Sequence, residues 1–212
     1  KRIKYYKLDT TVNLGTVRKF AYSKCNGEFI TFLDVDDYWD QNKIIKQLEI
    51  FQSNKNIDIV YSNYWQFSNS QFNKVEKKLF SGFCQKEIIE SYINGKPLTA
   101  WLTLMIRKEC IDNLDYSFDE NLHICSDFDL IIRLSKNCCF GFDEGFLSYY
   151  RLHDMNESKN SFKEISELIY IIEKFNKDEK LSKLFKINNF SDKILLKYLF
   201  FKKISDKNNS TD

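Results

Sequence analysis

Residues Glu28 to Asp37 read Glu-Phe-Ile-Thr-Phe-Leu-Asp-Val-Asp-Asp, an apolar, aromatic and β-branched run that ends in three carboxylates within four positions. The run Glu28–Leu33 predicts a short strand buried on both faces. Asp34, Asp36 and Asp37 then fall where that strand leaves its sheet, and open α/β sheets bind ligands outside the carboxyl ends of their strands. Carboxylates this close repel one another unless a cation neutralises them, as a divalent ion bridging to a diphosphate would. The alternative is a polar turn in which Asp37 or Asp40 caps the next helix.

Working outward, Leu14, Val17, Ala21 and Cys25 recur every three or four residues, as one face of a helix does, and Asn26-Gly27 stops it. Beyond the acids, Ile44, Ile45, Leu48 and Phe51 predict an amphipathic helix whose lysines face water. Further strands are expected at Ile3–Tyr6, Ile57–Tyr61 and Thr99–Ile106, with two more around Gly141 and Gly145. A hairpin or excursion is expected from Asn63 to Phe80. Helices are expected at Gln85–Ile93, from Ser126 or Asp127 onward, and in three segments after Asn160. Strands alternating with helices make an α/β architecture with a mostly parallel sheet flanked by helices.

Composition narrows the class. A chain of 212 residues with 43% apolar and 29% charged residues can bury a core, and its single proline and six glycines exclude collagen-like or low-complexity character. No apolar run approaches the ~18 residues needed to cross a bilayer, so a cytoplasmic location is expected. The six cysteines contain no CxxC pair and read as reduced, mostly buried small hydrophobes. A net charge of +2 is too small for a nucleic-acid footprint, although residues 159–212 carry +4 and the rest −2.

Three more positions carry candidate chemistry. Asp127 at a helix start can be a cap or a general base toward an acceptor hydroxyl, with Ser126 available as N-cap. His153, one of two histidines, follows a predicted strand and could complete a divalent-metal site begun by aspartates. Trp65 and Trp101 are either core or the wall of a sugar-binding cleft. The tail, with Leu195, Leu196, Tyr198, Leu199, Phe200 and Phe201 among Lys193, Lys197, Lys202 and Lys203, reads as a solvated helix face or an interfacial helix.

Four blocks taken together resemble the family 2 glycosyltransferases, inverting enzymes of the GT-A fold. The first is Asn13-Leu14-Gly15 with Arg18, followed by Gly27-Glu28 and the strand into Asp34-Val35-Asp36-Asp37. The second is Asp37-Tyr38-Trp39 with Lys43 and Gln47. The third is Phe118-Asp119-Glu120 leading to Asp127-Phe128-Asp129-Leu130 and Arg133, and the fourth is Tyr150-Arg151 with His153, Asn156 and Ser158. Ser126 stands where the family usually has Glu, and Lys19 where Asn is common.

The resemblance implies a GT-A-like core over residues 1–158 that lacks the first strands of the family, and a helical, Lys-rich extension over 159–212. It implies Asp127 as the catalytic base, Arg18, Asp34, Asp36 and Asp37 as donor-binding residues, and Asp36 with His153 as ligands of Mn²⁺ or Mg²⁺. The implied partners are a UDP-sugar or related nucleotide-sugar donor and a saccharide or lipid-linked saccharide acceptor of bacterial surface polysaccharide or glycolipid synthesis. No nucleic-acid partner is expected, and the tail would supply any peripheral membrane contact. Two other readings are a truncated, non-catalytic transferase fragment and a phosphotransferase of the haloacid dehalogenase type with Asp34 as nucleophile.

Overall fold

The structure is a computed structural model that describes residues 3–68, 71–75, 85–93, 99–154, 156, 161–178 and the single positions 182, 192 and 194. Helices α1 (Leu14–Ser23), α2 (Lys43–Ser53), α3 (Gln85–Ile93), α4 (Lys108–Asp112), α5 (Ser126–Leu134) and α6 (Ser161–Phe175) surround strands β1 (Phe29–Thr31), β2 (Tyr38–Trp39), β3 (Ile59–Ser68), β4 (Gln71–Val75), β5 (Met105–Arg107) and β6 (Phe140–Arg151). The sheet runs β1-β5-β3-β6-β2, with β4 forming a hairpin on β3. Among the described strands, β3 and β6 pair in parallel, over the longest register of the sheet, from Ile59 opposite Phe140 to Phe67 opposite Arg151, and the other pairs are antiparallel, so the sheet is mixed rather than mostly parallel. The antiparallel β5 lies between β1 and β3, so β1, β3 and β6 share one direction and end on one edge.

The period of two along β3 divides the core. Ile59 and Tyr61 join Ile106, Phe140 and the α5 residues Leu130, Ile131 and Leu134 on one face. Val60, between them, faces the other way and joins Phe51 of α2, Ile57 and Met105. A third cluster joins α5 and α6 through Leu122, Phe128, Ile132, Ile165, Ile172 and Phe175. Phe51 is 1% exposed, and truncating such a ring to alanine costs about 3–5 kcal/mol.

Several expectations change. Ile3–Tyr6 is not a strand: Ile3 and Tyr5 are exposed, and an extended segment without a ladder partner leaves its backbone to water. Thr99–Ile106 divides into a 3-10 turn at Trp101–Thr103 and the short β5. The two strands expected around Gly141 and Gly145 are one, because β3 supplies a long partner. Nor do all the lysines of α2 face water. Lys43 is fully buried with Gln47 and Phe51, on the stripe that repeats every fourth residue. The tail segment Leu195–Lys203 lies outside the described residues.

Candidate functional site

The shared carboxyl edge of β1 and β6 gathers the residues singled out in the sequence. After β1 the chain turns through Asp34–Asp37, closed by the Asp37 N–H donating to the Asp34 carbonyl at 3.2 Å, with Val35 fully exposed at the tip. After β6 the chain reaches His153. Its Nε2 lies 2.7 Å from Asp36 Oδ2. The next carboxylate holds the same two segments together, since Asp37 Oδ1 accepts the Arg151 backbone N–H at 2.9 Å. Burial pushes the Asp37 carboxyl up to about 7, opposed by that hydrogen bond and reinforced by the charges of Asp36 and Asp34.

Asn156, quoted in the fourth sequence block without a role, fixes the histidine. Its Oδ1 accepts the His153 backbone N–H at 2.6 Å, and its Nδ2 donates to the Arg151 carbonyl at 3.1 Å. A side chain bonded both to the histidine's own N–H and to the Arg151 carbonyl before it fixes the backbone that carries the imidazole against Asp36. The Asp36–His153 pair therefore presents one oxygen and one nitrogen donor from rigid strand ends, a set that suits Mn²⁺ and accommodates Mg²⁺ less well.

A second group forms around Arg18 on α1. Its guanidinium lies 4.4 Å over the Trp101 ring, is 4.0 Å from Asp34 Oδ2 and donates to Ser126 Oγ. Trp101 is stacked on Phe32 with ring centres 3.9 Å apart. Enclosure by protein pushes the Asp127 carboxyl upward, while the Arg18 charge and the Phe128 N–H hold it down. Asp34 is likewise raised by desolvation, with Arg18 opposing and Asp36 adding to the rise. Arg18 itself is lowered by burial, against the pull of Asp127 and Asp34. One cation thus faces both the turn and the candidate base.

The start of α5, which carries Asp127, is held differently from the expectation. Ser126 lies inside the first turn, engaged with Arg18, and the preceding backbone N–H groups of His123 and Cys125 donate to Glu167 of α6 at 3.0 and 2.8 Å. A buried carboxylate from a later helix thus holds the backbone leading into the helix. At the far end of the first turns, the fully buried Asp129 accepts from Arg133 at 2.8 Å and from Lys174 of α6. Lys174 also pairs with Asp119 at 2.8 Å. The helix that bears Asp127 is therefore clamped to α6 by charge as well as by apolar contact.

The tryptophans take other places. Trp101 is buried in the core beneath Arg18, and among the described residues its Nε1 is the buried side-chain nitrogen or oxygen without a hydrogen-bond partner. Trp65 packs on Phe146 with ring centres 5.2 Å apart. Instead, Tyr38 and Phe67, 4.9 Å apart, stand with Arg151 and His153 on a cavity of about 560 Å³. That aromatic wall was legible only as core-type residues, because it forms from β2 and β3 against the end of β6.

Comparisons with known proteins agree with this architecture. The family described as "Glycosyltransferase like family 2" matches over residues 1–198. An uncharacterised glycosyltransferase of Methanocaldococcus jannaschii is 27% identical over 153 residues, covering 72% of this chain and 51% of its own. WfgD of Escherichia coli, a UDP-Glc:alpha-D-GlcNAc-diphosphoundecaprenol beta-1,3-glucosyltransferase, is 28% identical over 166 residues, covering 77% of this chain and 61% of its own. The chain thus spans about half to three-fifths of these relatives. The crystal structure of residues 1–349 of Staphylococcus aureus TarS in complex with UDP-GlcNAc superposes with a TM-score of 0.66 at 16% identity, covering 92% of this chain and 55% of that TarS chain, a likeness of fold.

Proposed function

Because the chain belongs to the glycosyltransferase-like family 2, we propose that it transfers a sugar from a nucleotide-diphospho-sugar to the hydroxyl of a saccharide or lipid-linked saccharide, inverting the anomeric carbon. The observation that carries this reading is the meeting of Asp36 with His153 at the strand ends, beside the Arg18, Asp34 and Asp127 group. TarS, crystallised with UDP-GlcNAc, and WfgD, named for UDP-Glc, favour a UDP-sugar donor.

In this reading Asp127 takes the proton of the acceptor hydroxyl. The oxygen then bonds to the anomeric carbon from the face opposite the diphosphate, and the sugar–phosphate C–O bond breaks with its electron pair leaving on the diphosphate. Mn²⁺ or Mg²⁺ held by Asp36 and His153 would offset the diphosphate charge. Arg18 raises the local potential between Asp34 and Asp127, which favours an ionised base and an anionic donor. Tyr38 and Phe67 offer their faces to the C–H surface of a sugar in the cavity next to His153. The Lys-rich tail would carry any contact with a membrane-bound acceptor; no helix among the described residues is long and apolar enough to cross a membrane.

The test is calorimetric titration of the chain with UDP, with and without Mn²⁺. Metal-dependent binding supports a working donor site. A folded chain that binds no UDP under either condition would overturn the transferase reading for this chain.

A further inference from the structure

The opposite edge of the sheet, where the parallel strands β3 and β6 begin, gathers a second set of ligand-type side chains. Asp58 immediately precedes β3, Cys138 lies just before β6, and Cys110 sits on α4 directly after β5. Their carboxylate oxygen and two sulfurs all lie within 4.8 Å of one another. We propose that Asp58, Cys110 and Cys138 form a binding site for a thiolate-preferring divalent cation, Zn²⁺ in the first instance, separate from the carboxylate–imidazole pair at the other edge.

Size and chemistry both fit. Around a tetrahedral zinc, with Zn–S of about 2.3 Å and Zn–O of about 2.1 Å, ligand atoms stand roughly 3.5–3.8 Å apart. The three atoms present need to close by at most about an ångström, within reach of small side-chain rotations. Two sulfurs and one oxygen select a softer ion than the oxygen and imidazole set of Asp36 and His153.

The backbone beneath the site is rigid. Asp58 donates its N–H to the Cys139 carbonyl at 2.9 Å, and its own carbonyl accepts the Arg107 N–H at 2.9 Å. Its Oδ2 also accepts the Cys139 N–H at 2.7 Å, which orients the carboxylate as an outer partner orients a metal ligand. A cavity of about 240 Å³ opens on all three side chains and is lined as well by Glu109, Asn113 and Asn137. It opens an entry path and leaves room for a water as fourth ligand.

Binding converts each S–H to a metal–sulfur bond and releases one proton per cysteine to solvent. The sequence shows no such site, since the two cysteines stand 28 positions apart in no ligand spacing and only the pairing of β3 with its neighbours brings them together.

The test titrates the reduced, chelator-treated chain with Co²⁺ and then Zn²⁺. The expected result is one Co²⁺ per chain with a thiolate-to-metal charge-transfer band and tetrahedral d–d bands, both displaced by Zn²⁺. The band persists in Asp36→Ala, is lost in Cys110→Ser and Cys138→Ser, and Asp58→Asn weakens binding by about tenfold or more. A second measurement needs no variant: Zn²⁺ slows alkylation of Cys110 and Cys138, read by peptide mass spectrometry, and leaves Cys25 unchanged. Absence of a thiolate band, a band that survives in the double cysteine variant, or alkylation rates indifferent to Zn²⁺ overturns the proposal.

Discussion

His153 Nε2 lies 2.7 Å from Asp36 Oδ2 although 117 residues separate them in sequence. Replacing either with alanine leaves a single protein donor, so Mn²⁺-dependent UDP binding weakens by about tenfold or more in Asp36→Ala and in His153→Ala. Calorimetry reads the loss directly. If His153→Ala kept the full metal dependence, the histidine would be a structural partner of the turn rather than a ligand.

Asp127→Asn preserves the size of the side chain and removes the base. UDP binding should remain near wild type while UDP release from a UDP-sugar, with added saccharide or water as acceptor, falls by about 10² to 10⁴. Full turnover in this variant would mean that another group takes the proton.

Gly15 stands in the first turn of α1 because the loop before α5 passes against it. A Cβ built there would lie 2.0 Å from the Asp119 carbonyl oxygen and 2.6 Å from that of Leu122, which also accepts the Gly15 N–H at 2.9 Å. Neither backbone oxygen can swing away as a side chain could. Gly15→Ala therefore costs about 3 kcal/mol in denaturant unfolding, from overpacking against main chain. Because α1 carries Arg18, UDP affinity should fall as well; an unchanged unfolding midpoint would show that α1 can shift outward freely.

Lys43 gives a pH signature. Its ammonium is fully buried, 2.6 Å from Gln47 Oε1 and 4.6 Å from the Trp39 ring, hydrogen-bonded to neutral oxygens of Gln47 and Thr31, and burial lowers it to about 7. The unfolded chain keeps this lysine protonated up to about pH 10.4. Between those values the unfolded state binds more protons, so the Lys43 contribution to stability rises with pH, by at most about 1.4 kcal/mol per unit. Removal of the titrating group in Lys43→Met flattens that slope whatever its effect on absolute stability. Thermal unfolding at several pH values between neutral and mildly alkaline compares the two. Parallel profiles would show that Lys43 stays charged in the folded chain.

How far the sequence could be read differs from element to element. The positions of the strand into Asp34–Asp37 and of helices α1, α2, α3 and α5 were legible because their periodicity is local, but the faces they bury were not: Val17 of α1 and Ile44 and Ile45 of α2 are exposed where an apolar face is expected, and β1 buries only Ile30. The strand expected at Ile3–Tyr6 failed because β-branched and aromatic content describes a strand only when a neighbour offers a ladder. Lys43 departs for a related reason: a lysine on an amphipathic helix is expected to face water unless a buried acceptor such as Gln47 Oε1 meets it. Glu167 carried no signal of its own and Asn156 none beyond its place in the fourth block, since a carboxylate or amide that holds backbone N–H groups looks like any polar residue in sequence.

By itself, the sequence determined the α/β class, the turn of carboxylates after a short strand and the family to which the chain belongs, because short-range spacing and local patterns encode them. Only the tertiary structure decided which of these residues meet. Asp36 finds His153, Arg18 faces Asp34 and Asp127, and α6 secures the helix of Asp127 through Glu167 and Lys174. These contacts join segments far apart in the chain; β2 pairs with the end of β6, Tyr38 opposite Tyr149, which brings the Asp34–Asp37 turn to His153, a long-range register that no local period specifies.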